Sequence, residues 1–411
     1  MKRIFKYATM FAAALTLTCG MTACGDDKNE DNNTTPVNPT PVTPDTPDTP
    51  DTPSDPWANA DANSLEYNST YGEQWANYMV TVANLLANDA TTLAESWTGG
   101  YADIFKNHNS DEYKSAIECV EQIFDGCIDI AGEVGDAKIG EPYTLYTSGK
   151  TTEALYAVES WYSWHSREDY RNNIYSIRNS YYGNIYEEGG DIAYDEVDEN
   201  SISAVLAKKN PELDKKAKEL IKAAADAIMA IPDPFRNNIN APEVVVAMDA
   251  CAELGSFIDE QLKPYFQENI NDDATLDPIV KQYVDGIVVP TYTKLAALNT
   301  NLKAAVDKFK ATPSDENFAA CAEAWLEARV PWESSEAFLF GPVDELGLDP
   351  NMDSWPLDQA QILEILKSQD FTNLNWKEGE SDDDIEAAQS LRGFHTLEYL
   401  IFKDGKPRTV K

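Results

Sequence analysis

The stretch Gly393-Phe394-His395-Thr396-Leu397-Glu398-Tyr399-Leu400-Ile401-Phe402 sets an imidazole and a carboxylate inside a run that is otherwise apolar. From Ile385 through Ala388, Leu391, His395, Glu398 and Phe402 the steps are 3, 3, 4, 3 and 4, the spacing of one buried helix face. Phe394, Leu397, Leu400 and Ile401 close off the other sides, so the segment reads as a helix buried all round. An ionised carboxylate in such a place costs on the order of several kcal/mol unless it meets a partner, a proton or a metal. The plain reading is a hydrogen-bonded core histidine beside a glutamate, and the functional reading is a site.

Working outward, the same periodicity runs through most of the chain. Helical faces can be traced over 74–97, 112–131, 151–182, 203–230, 242–268, 292–309, 314–340 and 382–402, and strand-like alternation is scarce. Ser314 with Asn317 three residues on, after Thr312-Pro313, marks a helix start, whereas Pro290 and Pro331 should kink or break their helices. Eight such helices predict an all-α fold of two four-helix bundles packed side by side. The polar break at 271–278 suggests a first bundle over 57–273 and a second over 274–411, with 186–200 and 341–356 as loops.

The first residues do not read as part of that fold. Lys2, Arg3 and Lys6 precede a short apolar run from Ala8 to Thr18, the pattern of a signal peptide over 1–23. Met21-Thr22-Ala23-Cys24-Gly25 resembles a lipobox with Cys24 lipidated, and Asp26, Asp27, Glu30 and Asp31 resemble a surface-export tag of bacterial lipoproteins. The Thr-Pro-Asp-rich tract over 24–56 reads as an extended, disordered spacer. The expected location is the outer membrane, anchored by lipid alone and facing the cell exterior, a periplasm-facing lipoprotein being the alternative.

The net charge of −39 argues against nucleic acid and anionic lipid as partners and favours cations, although a solvated, self-repelling surface accounts for much of it. Beyond Cys19 and Cys24, the cysteines at 119, 127, 251 and 321 form no C-x-x-C pair, and buried thiols are the default.

Two more sets of polar residues stand where core is expected. Phe318, Cys321, Trp325, Arg329, Glu333, Glu336 and Phe340 share one helical side, so Arg329, Glu333 and Glu336 interrupt an aromatic stripe. The bland alternative for Arg329 and Glu333 is a surface i,i+4 ion pair. Glu159, Ser163, Ser166 and Asn173 follow steps of 4, 3 and 7, which places them on one face of the 151–182 helix with Asp169 at its margin and His165 pointing elsewhere. A solvated face is the ordinary explanation of such a row.

Gly393-x-His395-x-x-Glu398 resembles the G-x-H-x-x-E signature of the imelysin family. Ala324-Trp325 to Arg329, Pro331-Trp332-Glu333-x-x-Glu336 to Gly341-Pro342, and Ser354-Trp355-Pro356 are similar to its other hallmark stretch, and Glu159 to Asn173 resembles a pattern of the family's second half. Here the half with Gly393 comes last, which looks like a circularly permuted order. The resemblance implies two related four-helix bundles with a site between them, a link to iron uptake, and an older classification as metallopeptidases.

The donor chemistry helps to choose. A zinc peptidase helix offers two histidines, as in H-E-x-x-H or H-x-x-E-H, yet Tyr399 stands where the second would be, and only His108, His165 and His395 exist. One imidazole among carboxylates suits iron or another oxygen-preferring cation, with zinc and other divalent ions still open. The expectation is an iron-binding protein without turnover, with His395, Glu398 and Glu336 as metal ligands. Arg329, Glu333, Ser163, Ser166, Asp169, Asn173 and Glu159 would line a shared site on the facing bundle surfaces, supplied by a metal ion or an iron-containing ligand and served by an outer-membrane transport partner. Two readings stay open beside it: a metallopeptidase using His395 and Glu398, and a module for an organic ligand or protein partner.

Overall fold

A computed structural model describes residues 64–376 and 380–411. The expected signal peptide, the candidate lipidation site Cys24 and the expected spacer lie outside them. Eight helices carry the two bundles: α1 (Gly72–Ser96), α2 (Ala116–Gly132), α3 (Ser166–Tyr182), α4 (Pro211–Ala230), α5 (Pro242–Phe257), α6 (Val289–Ala311), α7 (Asp315–Glu333) and the shorter α8 (Gly393–Ile401). The fold is all-α apart from a small hairpin, β1 (Phe402–Lys403) with β2 (Lys406–Pro407). No helix among the described residues is long and apolar enough to cross a membrane.

The helices pack as two groups of four, α2 to α5 in one and α1 with α6, α7 and α8 in the other. Helix α1, which a division at 273/274 assigns to the first group, completes the second. Its Trp75 donates from Nε1 to the Leu400 carbonyl at 2.9 Å, its Tyr78 hydroxyl donates to the Leu391 carbonyl at 2.7 Å, and Trp75 stacks on Tyr399. The two ends of the described chain also meet, since Lys411 N donates to the Tyr67 carbonyl and Arg408 Nη1 to that of Leu65. Adjacent ends are the condition under which a changed chain order leaves a fold intact.

Several expected helices are broken where local chemistry demands it. The 203–230 face divides at Asn210-Pro211, where the Asn210 side chain caps α4 by accepting from Leu213 N and Pro211 opens the helix. Ser314 caps α7 as expected, and Pro331, unable to donate, stands two residues before its end, so 314–340 closes early at Glu333. The 151–182 face is interrupted from Val158 to His165, with Ser160 at φ 50° and Trp164 at φ 64°. The expected 341–356 loop instead contains short helices at Pro342–Glu345 and Leu348–Asp353.

The final seam is also two helices, Asp382–Gln389 and α8, so Ile385 and His395 do not lie on one continuous face. Gly393 explains the break. It has φ +84°, and a Cβ there would sit 2.3 Å from the Met352 carbonyl oxygen. Only glycine adopts that turn and lets the chain pass so close to the short helix at 348–353. Phe402 has left the helix for the hairpin, whose Asp404-Gly405 turn has positive φ at both positions. Gly405 N then donates to the Tyr162 carbonyl at 2.9 Å and its α-carbon lies flush against Trp164, pinning the 158–165 loop. All four cysteines among the described residues are free and buried.

Gly393→Ala should therefore lower stability by about 3 kcal/mol through strain and steric displacement. Gly132→Ala, in open space and with ordinary helical φ, should be neutral or stabilising by about 0.5 kcal/mol. Urea unfolding of both variants checks the contrast.

Candidate functional site

The third and sixth residues of α8, His395 and Glu398, are wholly buried. His395 Nδ1 lies 3.0 Å from Glu398 Oε2. Glu398 Oε1 meanwhile accepts from Ser163 Oγ at 2.7 Å, Ser163 N at 2.8 Å and Tyr162 N at 3.0 Å. The 158–165 loop thus clamps Glu398, and Glu398 is the natural acceptor for Nδ1–H. The other ring nitrogen, Nε2, is left facing Asp353 Oδ1 at 3.2 Å.

Helix α7 brings Arg329 and Glu333, both fully buried. Arg329 pairs with Asp353 and with Glu333, and its Nε lies 3.6 Å from Asp169 Oδ2 on α3, so one guanidinium ties three elements together. Trp332 donates from Nε1 to Asp353 Oδ2 at 2.7 Å. Asn173 on α3 donates to the Glu333 carboxylate and lies 3.3 Å from its carbonyl. Glu336 follows on the turn Glu336–Phe338, which α3 also contacts through the 3.0 Å bond from Ala337 N to Ser176 Oγ. Glu333, Glu336 and Asp353 can each point a carboxylate oxygen to within 4.8 Å of the others.

Of the residues expected from the sequence, Ser163, Asp169, Asn173, Arg329, Glu333, His395 and Glu398 join this network directly, and Glu336 lies in the carboxylate group beside it. Ser166 does not reach it. At the first turn of α3 its hydroxyl donates to the Glu159 carbonyl at 2.6 Å, closing the loop. Glu159 turns instead to Lys138, 3.0 Å away. Because Glu159 and Ser163 belong to a loop, their expected alignment on a helix face is corrected, and the loop rather than helical spacing delivers Ser163.

His165 is also corrected. It stands at the N-cap of α3 with φ −98° and ψ 9°, so helical geometry does not aim it, and its Nδ1 meets Asp169 Oδ1 at 2.9 Å. Asp169 further accepts from Ser160. Sequence reading missed Asp353, Asp349, Lys138 and Ser160. For Asp353 a signal existed, because it immediately precedes Ser354-Trp355-Pro356, and Trp355 packs in a T-shaped arrangement on His395 with ring centroids 5.0 Å apart. Asp349 and Asp353 lie one helical turn apart on the short helix at 348–353.

The electrostatics divide these acids into two kinds. Burial opposes ionisation of Asp353, yet Arg329 and His395 hold it below the usual carboxylate range. Likewise His165 and Arg329 overcome burial to bring Asp169 down to about 2. Burial, with too few cations in reach, pushes Glu333 and Glu336 well above the ordinary range and lifts Asp349 to about 7. Seven carboxylates gather here (Glu159, Asp169, Glu333, Glu336, Asp349, Asp353 and Glu398) against the fixed charges of Arg329 and Lys138. Protons or a bound cation must make up the difference.

The sequence profile of the imelysin family matches residues 50–259 and 288–411. The chain belongs to the imelysin family. It is 53% identical to an imelysin peptidase from Bacteroides ovatus whose crystal structure superposes with a TM-score of 0.82, covering 85% of this chain and 100% of that one. It is also 36% identical over 128 residues to iron-regulated protein A of Synechococcus elongatus, a match of 31% of this chain and 32% of that protein. The chain therefore spans about a third of that curated relative. Both matched stretches of the imelysin profile supply the network: Ser163, Asp169 and Asn173 come from the first, and Arg329, Glu333, Asp353, His395 and Glu398 from the second.

The raised acids of this imelysin set the direction of a pH dependence. A carboxyl whose folded pKa exceeds its unfolded value stabilises the fold fully below about pH 4, and that contribution is lost as pH rises through its folded pKa. For Asp349 the loss begins above about pH 4 and is complete near 7. Asp169 and Asp353 act oppositely but only in stronger acid. The metal-free protein should thus lose urea resistance between about pH 5 and pH 8. Asp349→Asn should remove part of that loss, on the order of 1–2 kcal/mol.

Proposed function

We propose that this chain captures iron, as the ion or within a ligand, in the carboxylate pocket between its two bundles, and does so at the cell surface as a lipoprotein anchored through Cys24 in the service of iron uptake. The observation that carries the reading is the group of Glu333, Glu336 and Asp353, three converging carboxylates whose side chains are withdrawn from solvent with an excess of negative charge. A fully buried atom beside it, His395 Nε2, lacks an aligned hydrogen-bond partner. A hard cation satisfies both deficits at once, supplying positive charge and taking lone pairs. The relative from Synechococcus elongatus, described as iron-regulated, supports iron as that cation.

Within this reading Glu333, Glu336 and Asp353 hold the ion and His395 offers Nε2. Glu398 is reassigned from ligand to orienter, because its Oε1 already accepts three donors and its Oε2 faces His395. A carboxylate behind a histidine fixes the ring and its tautomer. Arg329 neutralises part of the cluster from behind. Fully buried and balanced by Asp353, Glu333 and Asp169, Arg329 presents no exposed edge to an organic carboxylate, which weighs against the organic-ligand reading.

The Bacteroides ovatus relative is described as a peptidase, which keeps hydrolysis as a second reading. There Glu398 would serve as the general base. Its occupied oxygens and the placement of Tyr399 against Trp75, where a second histidine ligand would be needed, stand against this.

Calorimetry on the full chain with ferrous, ferric and zinc ions tests the leading reading. Glu336→Gln, which disturbs no hydrogen bond of the network, should weaken iron binding about tenfold or more. Absence of binding by all three ions in the wild type ends the metal reading. The peptidase reading makes a separate forecast, in which denatured casein is cleaved by wild type, spared when a chelator is added, and spared by Glu398→Gln. No cleavage is expected.

A further inference from the structure

Lys138 is a buried cation paired with Glu159 and Glu133, and the metal reading leaves it without a role. It lies in a widened π-helical stretch, Glu133–Gly140, that continues α2. Such stretches redirect side chains out of the ordinary helical order and recur at functional sites. Two glycines make the inward turn possible. A Cβ at Gly140 would meet the Gly135 carbonyl at 2.8 Å, and one at Gly135 would meet Cys251 Cβ at 3.0 Å, so the stretch packs flush on α5. The Lys138 side chain is left 5% exposed.

Its ammonium lies 3.0 Å from Glu159 and 3.4 Å from Glu133, the latter half in solvent. From there its charge acts on Glu336, Glu333, Asp349 and Asp353. Arg329 is committed to Asp353, Glu333 and Asp169, whereas Lys138 holds one strong partner, and two of the acids its charge reaches, Glu336 and Asp349, have no ion pair with Arg329. A flexible four-carbon stem with a point charge is the side chain best suited to yield that position.

We infer that Lys138 is a specificity-determining residue, a tethered ammonium that occupies the negative field of the pocket and competes with the incoming metal ion. It lowers the affinity for any cation and penalises ions in proportion to their charge, because the repulsion between fixed charges scales with that of the ion. It thereby keeps the pocket from holding highly charged ions too tightly to release. This rests on the metal-binding reading above and adds the rule by which that site sorts ions.

The sign of the effect separates this role from a structural one. Calorimetric titration of the full chain with manganous ion and with lanthanum ion, in wild type, Lys138→Met and Lys138→Arg, provides the test. Lys138→Met should tighten manganous binding at least about tenfold and lanthanum binding by a larger factor, while Lys138→Arg stays near wild type. A substitution that only damaged the fold would weaken both. Unchanged or uniformly weaker binding in Lys138→Met, with wild type binding normally, overturns the inference and leaves the metal reading standing. A wild type that binds neither ion removes both. Should Lys138→Met fail to fold, Lys138→Gln keeps a hydrogen-bond donor for Glu159 and reports the same loss of charge.

Discussion

The guanidinium of Arg329 is the joint on which the centre of this molecule turns. It is fully buried, and it is balanced by Glu333 on its own helix, Asp353 on the short helix at 348–353, and Asp169 on α3 of the other bundle. A buried charge with its partners removed is far more costly than the same pair never buried. The three elements are therefore held in one arrangement, since none can withdraw its carboxylate without stranding the arginine. Asp353 passes the constraint on to Trp332 and His395, and His395 to Glu398.

Glu398 extends that arrangement across the bundle interface to a segment with little regular structure of its own. The loop at 158–165 gives it three donors and is itself held by the Gly405 amide and by Arg236, which donates to the Trp161 carbonyl. Buried polar groups of one bundle are thus satisfied by the other, and the interface cannot be treated as a dry packing surface. The same interface gathers more carboxylates than cations. Electrostatic imbalance in a rigid, desolvated place is poor for stability and well suited to a site that takes up a positive ion.

Much of this was legible residue by residue. His395 and Glu398 stood out because they replaced apolar residues at helical spacing, and Arg329, Glu333 and Glu336 did so in an aromatic stripe. For Arg329, Glu333, His395 and Glu398 those signals survive because α7 and α8 are real helices over them, whereas Glu336 lies on the turn after α7. Ser163 was found for an incorrect reason, its place on a helix face that the loop at 158–165 interrupts. Asp353 and Asp349 were missed because a six-residue helix offers too few turns for periodicity to show. Lys138 was missed because a π stretch shifts side chains away from the spacing by which a buried face is recognised.

The amino-acid sequence by itself determined the all-helical class, most helix positions, the capping start at Ser314, and which polar residues could not be ordinary core. These are local properties, written in 3.6-residue periodicity and in the hydrogen-bonding limits of proline and capping side chains. Only the tertiary structure decided that α1 joins the bundle of α6, α7 and α8, that Gly393 breaks the last helix, and that Lys138 faces inward. Each depends on a partner distant in the chain: Leu400 and Leu391 for α1, the Met352 carbonyl for Gly393, and Cys251 and Glu159 for the Lys138 stretch. Contacts of that kind leave no periodic trace, because their register is set by packing in three dimensions and not by spacing along the chain.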